Sequence, residues 1–164
     1  MKQGVTVQPF LFIMALVVMA FVIIFGIKSV NDIRDTADLT ELAVFKKDFE
    51  DKINVYYNFD IGSSGDVSFG VPPSVERVCF TNPGEPLTVA IPDPFFAEVL
   101  DNNIKSTVYI LPLDAFSNID FAISAVYVDP QHNPLCIPTR GRLHLSLETV
   151  FVDDELKVAI TRSS

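Results

Sequence analysis

The residues best equipped for chemistry are two cysteines, two histidines and a few clustered carboxylates, and their spacing allows little of it. Cys79 lies in Val75-Glu76-Arg77-Val78-Cys79-Phe80 and Cys136 in Asn133-Pro134-Leu135-Cys136-Ile137-Pro138, both apolar, strand-like surroundings. A nucleophilic thiolate needs a base beside it and a group to orient that base, and nothing local to either cysteine supplies them. A zinc site needs paired ligands at short spacing. There is no C-x-x-C, and His132 and His144 fall into no recognised spacing with the cysteines. His132 sits in a proline-bounded turn, residues 129–134, where an exposed histidine is ordinary. His144 shares the polar face of a strand with Glu148, but four residues of strand separate them by about 13 Å, beyond hydrogen-bond reach. The sequence therefore assigns no catalytic, cofactor-binding or metal-binding residue and no cofactor, and it predicts a protein that is not an enzyme.

Two oxygen-rich stretches, residues 60–66 and Asp153-Asp154-Glu155, have the ligand type that calcium takes. Neither matches the twelve-residue loop with its terminal glutamate, and turn chemistry explains both. There is no glycine-rich phosphate loop and no N-x-S/T sequon. The chain has a formal charge of −9 over 164 residues, and all 21 acidic residues follow Lys28. Charge of that sign repels phosphate backbones and anionic headgroups, so nucleic acid is excluded as a partner class.

The elements that must carry these residues begin with an apolar run, residues 10–27, FLFIMALVVMAFVIIFGI, without a single charge. As a helix it is roughly 27 Å long, close to the ~30 Å hydrocarbon core of a bilayer. Phe10, Leu11, Phe12, Leu16, Phe21, Ile24 and Ile27 ring all sides of that helix, which suits lipid rather than the surface of a small domain. A cleaved secretory signal is shorter and ends in a small-x-small site. Lys28-Ser29-Val30-Asn31-Asp32 offers none, so a retained anchor is expected. Lys2 on one flank and Lys28 with Arg34 on the other nearly balance under the positive-inside rule. The acidic domain and the cysteine pair set the expected orientation, with the N-terminus cytoplasmic and the C-terminal domain outside. In an oxidising compartment Cys79 and Cys136 form a bridge; otherwise they are buried thiols acting as small hydrophobes.

Residues 29–57 have helical periodicity. Val30, Ile33 and Ala37 continue one face, and Leu42, Phe45, Phe49, Ile53 and Tyr56 repeat at three- and four-residue steps. Asp38 and Glu41 fit a capping box, so either one long helix bends here or a second begins at Leu39. Beyond residue 60 the pattern changes to short strands, predicted at 67–71, 75–80, 87–91, 107–111, 121–128, 142–151 and 156–161. In the strand from Arg142, Leu143, Leu145, Leu147 and Phe151 are expected to face the core. Asp153-Asp154 then turns the chain into the last strand. Asp93-Pro94 predicts a short helix over 95–100, ended by Asp101-Asn102-Asn103. Ten of the eleven prolines lie between Pro72 and Pro138 and mark strand boundaries. The expected fold is α+β: a transmembrane helix extended by an amphipathic helix, packed on an antiparallel sheet domain of about seven short strands. The expected segments are a cytoplasmic tail (1–8), a span (9–28), an amphipathic helix or stalk (29–57) and an extracytoplasmic β-rich domain (58–164).

Lys2-Gln3-Gly4 before an apolar helix, an amphipathic continuation and a small β domain with two cysteines resembles the type IV pilin-like proteins. That resemblance implies cleavage between Gly4 and Val5 and packing of the apolar helices into the centre of a filament or pseudopilus. Gln3 stands where a second charged residue is frequent, and Pro9 stands fifth after the cut, where bacterial members carry glutamate. Gln8 echoes archaeal members. The pieces Val5-Thr6-Val7-Gln8-Pro9-Phe10, Gly65-Asp66-Val67-Ser68-Phe69, Val78-Cys79-Phe80 and Leu135-Cys136-Ile137 are also similar to small archaeal surface proteins with one N-terminal span.

The expected function is a single-pass, membrane-anchored domain with a non-catalytic structural or protein-interaction role, its partners the lipid bilayer and a surface protein. The alternative is a pilin-like subunit that forms a homo-oligomer or filament through its N-terminal helix. In that case the helix face around Ile33, Phe45 and Phe49 is expected to meet neighbouring subunits, within a helix-packing face of Ile33, Leu42, Phe45, Phe49 and Ile53. The simpler expectation for the aromatic stripe is contact with the chain's own sheet.

Overall fold

The computed structural model describes residues 8–91, 94–101, 105–113 and 120–163. Gly4 and Val5, the Asp93 cap and the Asn102-Asn103 stop lie outside the described residues. The protein is α+β, with a long N-terminal helix, a second short helix and two sheets of seven strands in all. Contacts divide the chain between Thr40 and Glu41.

Helix α1 runs Gln8–Tyr57, and the Asp38–Glu41 signal lies inside it rather than at a helix start. A capping box satisfies amides that lack a preceding turn, and within a continuous helix that turn is present. Before Thr40, the segment Phe10–Val30 contains an 18-residue stretch with a mean hydropathy of 3.1, none of it buried. Phe12 is 71% exposed and Ile33 65% exposed. This one helix is long and apolar enough to cross a membrane.

After Glu41 the same helix has a buried stripe. Leu42, Phe45, Phe49 and Ile53 are each almost completely buried, and they join both sheets in one apolar cluster. Phe49 alone has ring partners in Phe45, Phe69, Phe80 and Phe121. Buried in the domain's own core, these four side chains cannot also meet a neighbouring subunit. Of Ile33, Phe45 and Phe49, the residues expected at a subunit contact, Ile33 is the exposed one.

The first sheet has strand order β1 (Ser64–Gly70), β6 (Arg142–Val152), β7 (Glu155–Arg162) and β4 (Val126–Tyr127). β6 and β7 form a hairpin through Asp153 and Asp154, both at positive φ (50° and 64°), as a two-residue type I′ turn requires. Leu143, Leu145 and Leu147 face the core as expected. Phe151 does not: it is 58% exposed, because β6 runs past the end of the core. At position 149 the inward place is taken by buried Thr149, whose hydroxyl donates to the Tyr56 carbonyl at 2.8 Å. β4 pairs with β7 in parallel, so this sheet is mixed rather than wholly antiparallel.

The second sheet has order β3 (Val108–Leu111), β2 (Arg77–Phe80) and β5 (Leu135–Pro138). Both of its faces are covered. Val78, Phe80, Val108 and Ile110 join the main core, while Cys79, Tyr109 and Leu111 pack with Phe96 and Leu100 of α2 (Pro94–Asp101). β5 replaces the strand predicted at 87–91. Residues 87–91 are instead a loop, tied down where the Thr88 and Val89 amides donate to the Asn133 carbonyl. A four-residue strand ending in proline has too little alternation to register as a strand.

Candidate functional site

The pairing of β2 with β5 sets Cys79 directly opposite Cys136, with Cα atoms 4.0 Å apart, and the two form a disulfide. Cys79 is fully buried, and Cys136 reaches a cleft of about 260 Å³. Val89, Ile91, Pro134 and Leu135 give the cleft apolar walls, and Arg77 and His132 supply its polar atoms. His132 and Cys136 thus line the same cleft. No thiolate follows, because the sulfur is committed to the bridge. His132 instead faces Asp129 at 3.5 Å, an exposed pair within one turn of 3₁₀ helix. His144 and Glu148 lie on the exposed face of β6, opposite Ser68 and Ser64 of β1.

Behind the cleft lies a polar network that the sequence did not flag. Asn82 is buried. Its amide nitrogen donates to the Val128 carbonyl at 2.6 Å and to Glu85 Oε2 at 2.9 Å, and its oxygen accepts from the Val128 amide at 2.8 Å. Asn133, also buried, accepts from the Asn82 backbone amide at 3.2 Å and donates to the Pro86 carbonyl at 3.2 Å. Two Asn-Pro pairs, Asn82-Pro83 and Asn133-Pro134, were the available signal, and locally they say only "turn". Among the described residues every buried side-chain nitrogen and oxygen has a partner. A fully satisfied network of this kind fixes geometry rather than leaving a group free to react.

No protein-family model, curated protein or solved structure matches this chain.

Burial raises the Tyr109 hydroxyl above its ordinary value, with the Asp120 charge acting in the same direction. Tyr127 is raised by burial and then by Glu85, Asp129 and Asp153. Glu155 is lowered by its hydrogen bond to Lys157, whose ammonium also donates to the Ser124 carbonyl at 3.2 Å. That pairing engages one of the three carboxylates of the 153–155 turn. At residues 60–66 the backbone makes a turn, with the Ser63 amide donating to the Asp60 carbonyl and Gly62 at φ 85°. Among the described residues no group of three histidine, cysteine or acidic side chains is placed to hold a metal.

Proposed function

We propose that the chain is a single-pass membrane protein that displays a non-catalytic β-rich domain outside the cytoplasm, with a structural or protein-interaction role. One observation carries this reading: among the described residues, 10–27 present apolar side chains on all sides of the helix and none of them is buried. Such a surface requires lipid or other apolar helices around it. The Cys79–Cys136 bridge supports the outside placement, since disulfides persist in oxidising compartments. α1 beyond Thr40 is the amphipathic part of this design, its stripe turned to the sheets. The test is extraction and topology. The chain should stay with membranes through alkaline carbonate washing, and its domain should be open to protease added from outside intact cells. Release by carbonate overturns the anchor, and protection of the domain overturns the orientation.

A second reading, a pilin-like filament subunit cleaved between Gly4 and Val5, is favoured by one observation. A single helix, α1, carries both the uncovered apolar segment and the domain's core stripe. Contacts between subunits then belong to residues 10–27 and to Ile33, not to Phe45 or Phe49. Intact mass of the native protein separates the two readings: a chain starting at Val5 favours the subunit, and one starting at Met1 or Lys2 favours the anchor.

A further inference from the structure

Among the described residues two sheets have four edges, and three of these are closed. β5 is cut short by Pro134 and Pro138. β3 is bridged by Phe121, whose amide and carbonyl exchange hydrogen bonds with Val108 at 3.2 and 3.0 Å. β4 has only two residues. β1 is different: seven residues, SGDVSFG, without proline, lysine or an internal bulge. Native proteins usually block such an edge, because it presents a row of unpaired amides and carbonyls.

Register shows which groups those are. In an antiparallel pair, residues alternate between facing the partner strand and facing away. The Thr149 amide donates to the Ser63 carbonyl and the Val71 amide to the Gly141 carbonyl, so odd-numbered residues of β1 bond to β6. Ser64, Asp66, Ser68 and Gly70 therefore direct their backbone groups to the open side. All four are exposed, with side chains small enough to let another backbone approach. Along the same edge runs a groove of about 360 Å³, where Asp48, Asp51, Lys52 and Val55 of α1 face Ser68, Phe69 and Gly70.

We propose that the open edge of β1 and the groove beside α1 bind an extended, basic segment of another protein, which adds to the sheet as a further strand. Backbone pairing would supply affinity, and side chains alternating towards the groove would supply selectivity. Charge selects the occupant: Asp48 and Asp51 outnumber Lys52 in the groove, and Asp66 adds a carboxylate on the edge strand itself, so the site favours lysine or arginine. A second copy pairing edge to edge would bring the same carboxylates against each other. The proposal deepens the interaction role given above and does not depend on the anchor, so the two fail separately.

The test uses the full chain in detergent micelles and a synthetic seven-residue peptide alternating lysine and valine. Amide exchange at Ser64, Asp66, Ser68 and Gly70 should slow by about tenfold or more when the peptide is added, while the odd-numbered amides stay as they were. The same peptide N-methylated at alternate amides should not protect them. Ser68→Pro removes an outward amide that the fold does not use, so it should weaken binding about tenfold with an unchanged far-ultraviolet spectrum. Asp66→Lys should weaken binding as well, which guards against a folding defect in the proline variant. Three results overturn the proposal: no protection at these four amides, equal binding of a glutamate–valine peptide, or protection in the free protein through a second copy.

Discussion

Asn82 and Asn133 are 51 residues apart in sequence, yet the Asn133 side-chain oxygen accepts the Asn82 backbone amide at 3.2 Å. Through this contact the ends of β2 and β5, the loop at Pro86 and the strand exit at Val128 share one buried polar junction. Truncation of Asn82 leaves the amide and the carbonyl of Val128 without their partner. Asn82→Ala should therefore destabilise the folded state by about 3 kcal/mol, more than a typical surface change. Urea unfolding of the full chain in micelles measures it. A double-mutant cycle with Asn133→Ala should be strongly non-additive, since the two side chains serve one junction.

Phe49 lies at the centre of the aromatic cluster and is fully buried. Phe49→Ala should cost about 3–5 kcal/mol, through lost transfer energy plus the cavity left among four rings. Val44, on the exposed side of the same helix, is the control: Val44→Ala should stay within about 0.5 kcal/mol. Equal effects at the two positions would mean that the stripe is not the domain's core in solution.

The bridge between Cys79 and Cys136 closes a separation of 57 residues. In the chain-entropy account, a loop of that length is worth about 4 kcal/mol. The Cys79→Ala, Cys136→Ala double variant should unfold at correspondingly lower urea concentration. Free alkylation of both cysteines in the unreduced native protein would count against the bridge.

Alkaline pH should weaken the fold. Burial raises Tyr109 above its ordinary value of 10.0, so the folded state holds the phenolic proton where the unfolded chain releases it. The contribution is complete below pH 10 and is lost as pH rises from there through the folded-state value. Tyr127, raised by burial and neighbouring carboxylates, acts in the same direction. Tyr109→Phe should flatten the decline in stability above pH 10, read as the midpoint of urea unfolding across that range.

By itself the sequence determined whatever depends on neighbours along the chain. The apolar run from Phe10, the three-and-four spacing of Leu42, Phe45, Phe49 and Ile53, and the alternation of Leu143, Leu145 and Leu147 are local periodicities, and each became the element its period implies. The turn at Asp153-Asp154 was legible for the same reason, because those side chains tolerate the left-handed backbone that a tight hairpin needs. The tertiary structure alone decided the rest. β5 was invisible because four residues between prolines show no period, and Leu87–Ile91 misled because an apolar run in a loop looks like a strand. Cys79 and Cys136 could be named as candidates for a bridge, but only strand register placed them opposite each other. Asn82 and Asn133 read as turn residues until pairing across 51 positions buried them together. The open edge of β1 is also a property of sheet order and has no signature in its seven residues. Local sequence fixes dihedral preference and which face is apolar; long-range pairing, decided by competition among all strands for hydrogen-bond partners, fixes which surfaces meet.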